Sequence, residues 1–384
     1  MISIPGRIPI FIHPFFWFLI LMIGWLNSGS LAGTAIWAVV ILFSILIHEY
    51  GHALTAVLFG QKAEINLVGL GGLTKRQGPG LKRWKEFLIV LAGPLAGFAL
   101  FFVSYFFMGM ISKENGLLFY ILRVSINVNF FWTLLNLLPV FPLDGGHLLR
   151  ILLEGAFGLP GLKGAFLFSI LLGAVAGLYF FLIGQVLMGA LFFILAFESY
   201  NAWGEVKKMT FQDTDKDLQK TINEGLHALK SGQLNDAFEK FAYVRNQTLK
   251  GVLYVASTQY GARVLVEQGR LKEAYNWLYP LKNRLSTEYL HLLQQIAYRI
   301  QEWEEALKIG EQAYQKEPSI DCSLVNAFCC AIMGKAIPAV GWLRCAEDLG
   351  YTDAHEISNK REFDAIRHSE AFEKWKNSGQ HGLS

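Results

Sequence analysis

The stretch Ile47-His48-Glu49-Tyr50-Gly51-His52 decides the organisation of the chain. It lies inside a long apolar run, because no Asp, Glu, Lys or Arg occurs from residue 8 to residue 48. On an α-helix, His48 and His52 lie on one face, where two imidazoles can bind one metal ion. Glu49 lies beside that face, where it can accept a proton from a water molecule near the metal.

The apolar surroundings decide between two interpretations of this motif. In a soluble helix, His-Glu-x-x-His can arise by coincidence on a solvated face. In a membrane-spanning helix, ionisable side chains are costly and rare unless they line a cavity or perform a function. The sequence therefore favours a buried metal site over two structural histidines.

The 384-residue chain divides into an apolar half and a charged half. Residues 1–200 contain 18 charged side chains, whereas residues 201–384 contain 47. This change predicts a membrane domain over residues 1–204, a linker over 205–214 and a soluble domain over 215–384. The net charge of +3 is too small to indicate a nucleic-acid partner.

Hydropathy predicts a mostly α-helical fold with about six transmembrane helices. Four of them are the separate segments Phe11–Asn27, Gly33–Phe59, Phe87–Ile111 and Leu117–Leu138. The other two lie in the apolar stretch Ala165–Tyr200 and are separated by a tight turn near Gly184. Residues 3–12 and 61–75 are strand-like and predict a small membrane-associated strand region. A soluble helical domain follows the membrane domain.

An even number of spans places both ends of the sequence on one side of the membrane. The basic loop of residues 61–86 lies on that side, which predicts that this side is the cytoplasm. A reducing compartment also fits the cysteines, which all lie in the soluble half: Cys322, Cys329, Cys330 and Cys345. We therefore expect a multi-pass protein of a bacterial inner or plasma membrane, with both termini and the soluble domain cytoplasmic.

A third metal ligand has to come from outside the second span, because a catalytic zinc ion normally has three protein ligands and an open position. The best candidate is Asp144, which ends the segment Asn136-Leu137-Leu138-Pro139-Val140-Phe141-Pro142-Leu143-Asp144. This segment follows the fourth span on the side where the second span ends, and its prolines break the helix there. In a soluble loop, Pro-Leu-Asp-Gly would be an ordinary turn. Beside the histidine motif in an apolar chain, the ligand interpretation is favoured.

These motifs together resemble the site-2 proteases, a family of intramembrane zinc metalloproteases. The resemblance rests on the histidine motif in a spanning helix, on Gly93-Pro94 in the next helix and on the segment from Asn136 to Gly145. It implies a zinc metalloendopeptidase with one Zn²⁺ per chain and with these site residues: His48, His52 and Asp144 as ligands, Glu49 as general acid and base, and Asn136 as a group that stabilises the substrate or the oxyanion. It also implies single-span membrane proteins as substrates, in contact with the bilayer, and a strand region that aligns the unwound substrate.

The soluble half contains a helical repeat. Alanines recur with separations of 37, 32 and 33 residues, at Ala237, Ala274, Ala306 and Ala339. A glycine stands five residues before each of them except the third, where Gln301 replaces it. The spacing resembles tetratricopeptide (TPR) repeats and predicts a solenoid that binds an unknown protein partner or recruits substrate. The alternative is a solenoid that only stabilises the membrane domain.

Two other functions remain open beside the protease. One is a zinc transporter or sensor that uses the same ligands, and the other is an inactive metal-binding scaffold that acts through the repeats. A transporter needs ligands along a path, whereas the ionisable residues here gather at one depth. A structural zinc site has no use for Glu49. The sequence assigns no role to His13 or His147, and it names neither the substrate nor the partner.

Overall fold

The computed structural model describes residues 1–69, 71–112 and 115–379. The chain forms two compact units, Met1–Lys207 and Lys208–Ser384, called the membrane unit and the repeat unit below. The stretch predicted as a linker, residues 205–214, includes the end of a helix at Lys207 and a short 3-10 helix at Phe211–Thr214.

The described part of the membrane unit contains four strands and seven helices. The strands are β1 (Ile2–Ile4), β2 (Ile10–Ile12), β3 (Lys62–Val68) and β4 (Gly71–Gln77). The helices are α1 (Pro14–Ser28), α2 (Leu31–Leu58), α3 (Arg83–Met110), α4 (Gly116–Asn136), α5 (Asp144–Phe157), α6 (Leu159–Leu182) and α7 (Val186–Lys207). Helices that follow one another in the chain pack together from α1 to α4 and from α5 to α7.

Five of the described helices are long and apolar enough to cross a membrane: α2, α3, α4, α6 and α7. Helix α1 is apolar but has 15 residues, which is about 22 Å and shorter than a hydrocarbon core of about 30 Å. The prediction of about six spans therefore corresponds to five full-length helices and one short helix. Helices α6 and α7 are joined by the predicted tight turn, in which Gly184 has a φ of +79°.

The strands form one sheet in the order β1-β2-β3-β4. β2 runs parallel to β3, and β3 runs antiparallel to β4, with Ile65 opposite Thr74. The sheet buries Ile10, Ile12 and Ile65 against α1 and α2. Because β2 leads into α1 and runs parallel to β3, the start of α1 lies beside the end of β3, where the His13 N–H donates to Leu67 O at 3.0 Å. The predicted strand-like stretch 61–75 thus forms β3 and most of β4, and its residue 70 lies outside the described residues.

The connection between α4 and α5 has the helix break that its prolines predict, since Pro cannot donate an interior helical hydrogen bond. Val140 in this connection is fully buried and packs against Phe192 and Leu195 of α7. Asp144 thereby becomes the first residue of α5. Helix α5 itself has no counterpart among the predicted elements.

The repeat unit is built from helical hairpins. Its described helices are α8 (Lys216–Lys230), α9 (Leu234–Thr248), α10 (Val252–Glu267), α11 (Leu271–Leu278), α12 (Thr287–Arg299), α13 (Trp303–Lys316), α14 (Ile320–Ile332), α15 (Ala336–Asp348), α16 (Ala354–Ser358) and α17 (Glu370–Gly379). Helices α8 to α15 pack as four successive hairpins, as the TPR-like repeat predicts. The four repeat alanines are fully buried.

The turns inside three of these hairpins share a left-handed residue. Gly232, Gly269 and Gly334 have φ values of +74°, +76° and +73°. Gln301 occupies the same place in the third hairpin with a φ of +69°. The third repeat therefore keeps the turn geometry without the glycine that normally adopts it.

Candidate metal centre

Helix α2 and the first residue of α5 bring the three predicted metal ligands together. His48 Nε2 lies 3.0 Å from Asp144 Oδ2, and His52 Nε2 lies 3.4 Å from the same oxygen. The two Nε2 atoms are 3.2 Å apart. Tetrahedral coordination at about 2.0–2.1 Å places ligand atoms about 3.3 Å from one another. The triangle formed by the three atoms therefore has the size that a zinc ion requires.

The protonation of His52 follows from its second ring nitrogen. His52 Nδ1 lies 2.8 Å from the backbone oxygen of Ile89 in α3. Because a carbonyl oxygen can only accept a hydrogen bond, Nδ1 carries the proton and Nε2 presents a lone pair. A backbone partner of this kind is the usual support of a metal-bound histidine.

Asp144 Oδ2 is buried and accepts no hydrogen bond within the described part of the chain. In the neutral Nδ1–H tautomer of His52, this oxygen faces the Nε2 lone pair at 3.4 Å. Two buried acceptors at this distance repel each other unless a cation lies between them. The donor set, with two imidazoles and one carboxylate, fits zinc.

Glu49 lies beside the ligands and is buried. One of its carboxylate oxygens and ring nitrogens of His48 and His52 all lie within 4.8 Å of one another. The Thr74 hydroxyl in β4 donates a hydrogen bond of 2.6 Å to Glu49 Oε2. Gly72, two residues earlier in β4, lies so close that a Cβ there would overlap the Glu49 side chain. The sequence alone predicts neither Gly72 nor Thr74 at the site.

Helix α3 passes the metal centre at a glycine. A Cβ at Gly93 would overlap the His52 ring, and a Cβ at Gly51 of α2 would overlap the backbone of Ala92. The Gly93-Pro94 motif therefore permits the close approach of α2 and α3 at the level of the ligands.

A cavity of about 820 Å³ opens onto the ligands. Most of its lining is apolar and comes from α1, α4 and α7, including Leu19, Trp132 and Leu191. Asn136 and His147 also line it, which places both near the predicted ligands. His13 precedes α1, its backbone N–H donates to Leu67 O at 3.0 Å, and it is not among the described residues that line this cavity.

The fold and the site together define a membrane protein with three candidate metal ligands, His48, His52 and Asp144, beside the buried Glu49. Residues 36–116 and 111–175 match Peptidase family M50. The membrane unit is therefore similar to Peptidase family M50 over these residues.

Curated relatives match part of the chain. Stage IV sporulation protein FB of Bacillus subtilis is 33% identical over 147 residues, which are 37% of this chain and 47% of the relative. A zinc metalloprotease of Methanocaldococcus jannaschii is 33% identical over 157 residues, 39% of this chain and 44% of the relative. The chain therefore spans less than half the length of either relative. The zinc in the second name agrees with the donor set of the site.

Two solved structures have a distant similarity to parts of the chain. The site-2 protease from Methanocaldococcus jannaschii has a TM-score of 0.39 at 22% identity, over 54% of this chain and 96% of that chain. A structure of MamA has a TM-score of 0.35 at 12% identity, over 44% of this chain and 100% of that chain.

Proposed function

We propose that this protein is an intramembrane zinc metalloendopeptidase that cleaves the spanning segments of membrane-anchored regulatory proteins, with one zinc ion per chain. The observation that carries the proposal is the triangle of His48, His52 and Asp144 ligand atoms, 3.0–3.4 Å apart, among apolar helices. Glu49 beside the triangle is the feature that a zinc transporter, a zinc sensor or an inactive scaffold would not need.

The residues of the site divide the chemistry of peptide hydrolysis among them. A zinc ion bound here supplies Lewis acidity, which polarises the scissile carbonyl group. Glu49 takes a proton from the attacking water and later delivers it to the leaving amine nitrogen. Asn136, on the cavity wall, donates an amide N–H to the carbonyl oxygen as negative charge develops there. The apolar lining excludes bulk water from these charges.

The strand beside the cavity supports an unwound peptide as substrate. A spanning helix hides its carbonyl groups in hydrogen bonds of its own, so the helix has to open before the bond is attacked. β4 pairs with β3 along one edge, while Gly71, Gly72 and Thr74 line the cavity. A peptide that adds to the other edge of β4 is held extended by backbone hydrogen bonds.

We propose that the site faces the cytoplasm. His48 and His52 lie about 15 Å and about 9 Å from the end of α2 at Leu58, at 1.5 Å per residue. The sheet lies at the same end of α2. Six of the twelve Lys and Arg side chains of residues 1–207 follow α2 in the chain: Lys62, Lys75, Arg76, Lys82, Arg83 and Lys85. Such an excess is typical of cytoplasmic loops.

We also propose that the repeat unit recruits a protein partner or the substrate, because its hairpins form the kind of solenoid that serves as a binding surface. Removal of residues 208–384 is expected to change which substrates are cleaved while zinc binding persists. Unchanged cleavage of every native substrate would contradict this role.

The first experiment compares wild type with Glu49→Gln in detergent, by zinc content and by cleavage of a panel of single-span membrane proteins. We expect both to hold about one zinc ion per chain, and the variant to lose at least about 100-fold in cleavage rate. Glu64→Gln is the matched control, since Glu64 on β3 pairs with Lys75 at 3.7 Å and lies outside the site. Zinc in both proteins with cleavage by neither would favour a transporter, a sensor or a scaffold.

A further inference from the structure

The carboxylate of Glu49 is held by a strand as well as by its own helix. The Thr74 hydroxyl donates to Glu49 Oε2 at 2.6 Å, and Gly72 lies against the same side chain. We propose that Thr74 is a positioning residue for Glu49, so that β4 sets the place of the general base. This inference rests on the proposed function, because it assigns a residue to the same reaction.

The alternation of β4 explains why these residues act together. Side chains two apart in a strand point to the same face. Gly72, Thr74 and Arg76 line the cavity above the metal ligands, which Gly71 and Leu73 at the start of the strand also line. Lys75 and Gln77 line a separate cleft of about 540 Å³ on the other face. Thr74 is thus placed by the register of the sheet, in which its neighbour on β3 is the fully buried Ile65.

The hydrogen bond selects one position of a side chain that is otherwise free to rotate. Glu49 is 5% exposed, so its carboxylate has little access to water. Among the described residues, Thr74 supplies the hydrogen bond that this carboxylate accepts. Its length is that of a charge-assisted O–H···O⁻ bond. The β-branched Thr74 is itself stiff about χ1, so both partners are confined.

The Thr74–Glu49 hydrogen bond links the strand that would align the peptide to the side chain that would act as the base. β4 is bonded to β3 on one edge, and its other edge is the one that a substrate strand would occupy. A peptide paired there lies in register with the strand that carries Thr74. The same strand, β4, would then position both the scissile bond and, through Thr74, the Glu49 carboxylate.

Thr74→Val removes the hydroxyl at almost constant shape, and Thr74→Ser keeps it. We expect Thr74→Val to lower kcat about 10- to 100-fold, the effect of losing a hydrogen bond to a charged group. KM and zinc content should stay at wild-type values, and Thr74→Ser should restore most of kcat. Thr55→Val is the matched control, because the Thr55 hydroxyl bonds Gly51 O of its own helix at 2.8 Å.

Gly72→Ala is an independent variant that displaces Glu49 from the other side, and we expect it to lower kcat with zinc retained. Loss of zinc from Thr74→Val, a change in KM alone, or equal damage from Thr74→Val and Thr74→Ser would each overturn the assignment. If wild type and Thr74→Val cleave equally well, the role of Thr74 is refuted, whereas the proposed protease function is not. A zinc-loaded wild type that cleaves nothing would refute both.

Discussion

Replacing Gly93 by alanine tests the metal centre without changing a ligand. A Cβ at residue 93 would overlap His52 Nε2 and come within 2.7 Å of Cδ2, whereas ordinary contact begins at 3.4 Å. The ring therefore has to shift by about 1 Å, or α3 has to move away from α2. The second route loses the close packing of the two backbones at Gly51 and Ala92.

The size of the expected effect follows from the tolerance of the metal site. Ligand distances in zinc sites stay within about 0.2 Å of their normal values, so a shift of about 1 Å removes His52 from the ligand set. Changing a residue that merely orients a ligand costs about 10- to 100-fold in metal affinity. Displacing the ligand itself should cost at least about 100-fold, which is about 2.7 kcal/mol.

The assay is competition for zinc with a chromophoric chelator in detergent, together with zinc per chain after dialysis. Gly109→Ala is the control, because residue 109 is in the same helix and a Cβ there would meet no atom within 4 Å. We expect wild-type zinc affinity for the control, and an unchanged helical circular dichroism spectrum for both variants. Wild-type zinc affinity in Gly93→Ala would show that His52 Nε2 does not face the metal.

Two further predictions concern the repeat unit. Gln301→Gly should stabilise it by about 1 kcal/mol, because the left-handed φ of +69° costs glycine little. Thiol labelling of the buried Cys329 should then be about fivefold slower in Gln301→Gly than in wild type, whereas Gln301→Ala should label at the wild-type rate. Equal labelling rates for wild type and both variants would show that the left-handed Gln301 is not strained. Burial also raises the pKa of the Cys322 thiol from 9.0 to about 11 and that of Cys329 to about 12. The unfolded thiols ionise first, so this stability is present below pH 9 and is lost as the pH rises towards 12. Denaturant midpoints at pH 8 and pH 10.5 should therefore differ less in Cys329→Ala than in wild type, and an identical difference would refute the argument.

The ligand set could be predicted because its parts are local in the chain. His48 and His52 are one helical turn apart, and the prolines between α4 and α5 fix where Asp144 begins a helix. The choice of Asp144 as third ligand rested on its place after the fourth span and the prolines before it, and the resemblance implied the same residue. The structure brings Asp144 Oδ2 to 3.0 Å from His48 Nε2, and its role as a ligand stays a prediction.

The supports of Glu49 could not be predicted, because they depend on strand register. Thr74 is 25 residues from Glu49, and only the pairing of β3 with β4 decides which of its side chains meet α2. The alternation of Gly72, Thr74 and Arg76 was the available signal. It could be read only once the strand and its cavity face were known.

The short first helix has a similar explanation. The apolar run from Phe11 predicts a full span, but hydropathy does not distinguish a strand from a helix when both are buried. Residues Ile10–Ile12 pair with β3, and the helix begins at Pro14, where the missing N–H costs nothing. Because residues 10–12 form β2, they do not extend α1 at its start.

The position of β4 also bears on why a sheet can exist at this depth. A strand edge has N–H and C=O groups without partners, and such an edge is not tolerated against lipid. It is tolerated where it lines a cavity that admits water or a peptide. β4 meets this condition, since its residues line the cavity that holds the metal ligands. In the proposed reaction, a peptide that pairs with this edge therefore also lies beside Glu49, to which Thr74 of the same strand donates a hydrogen bond.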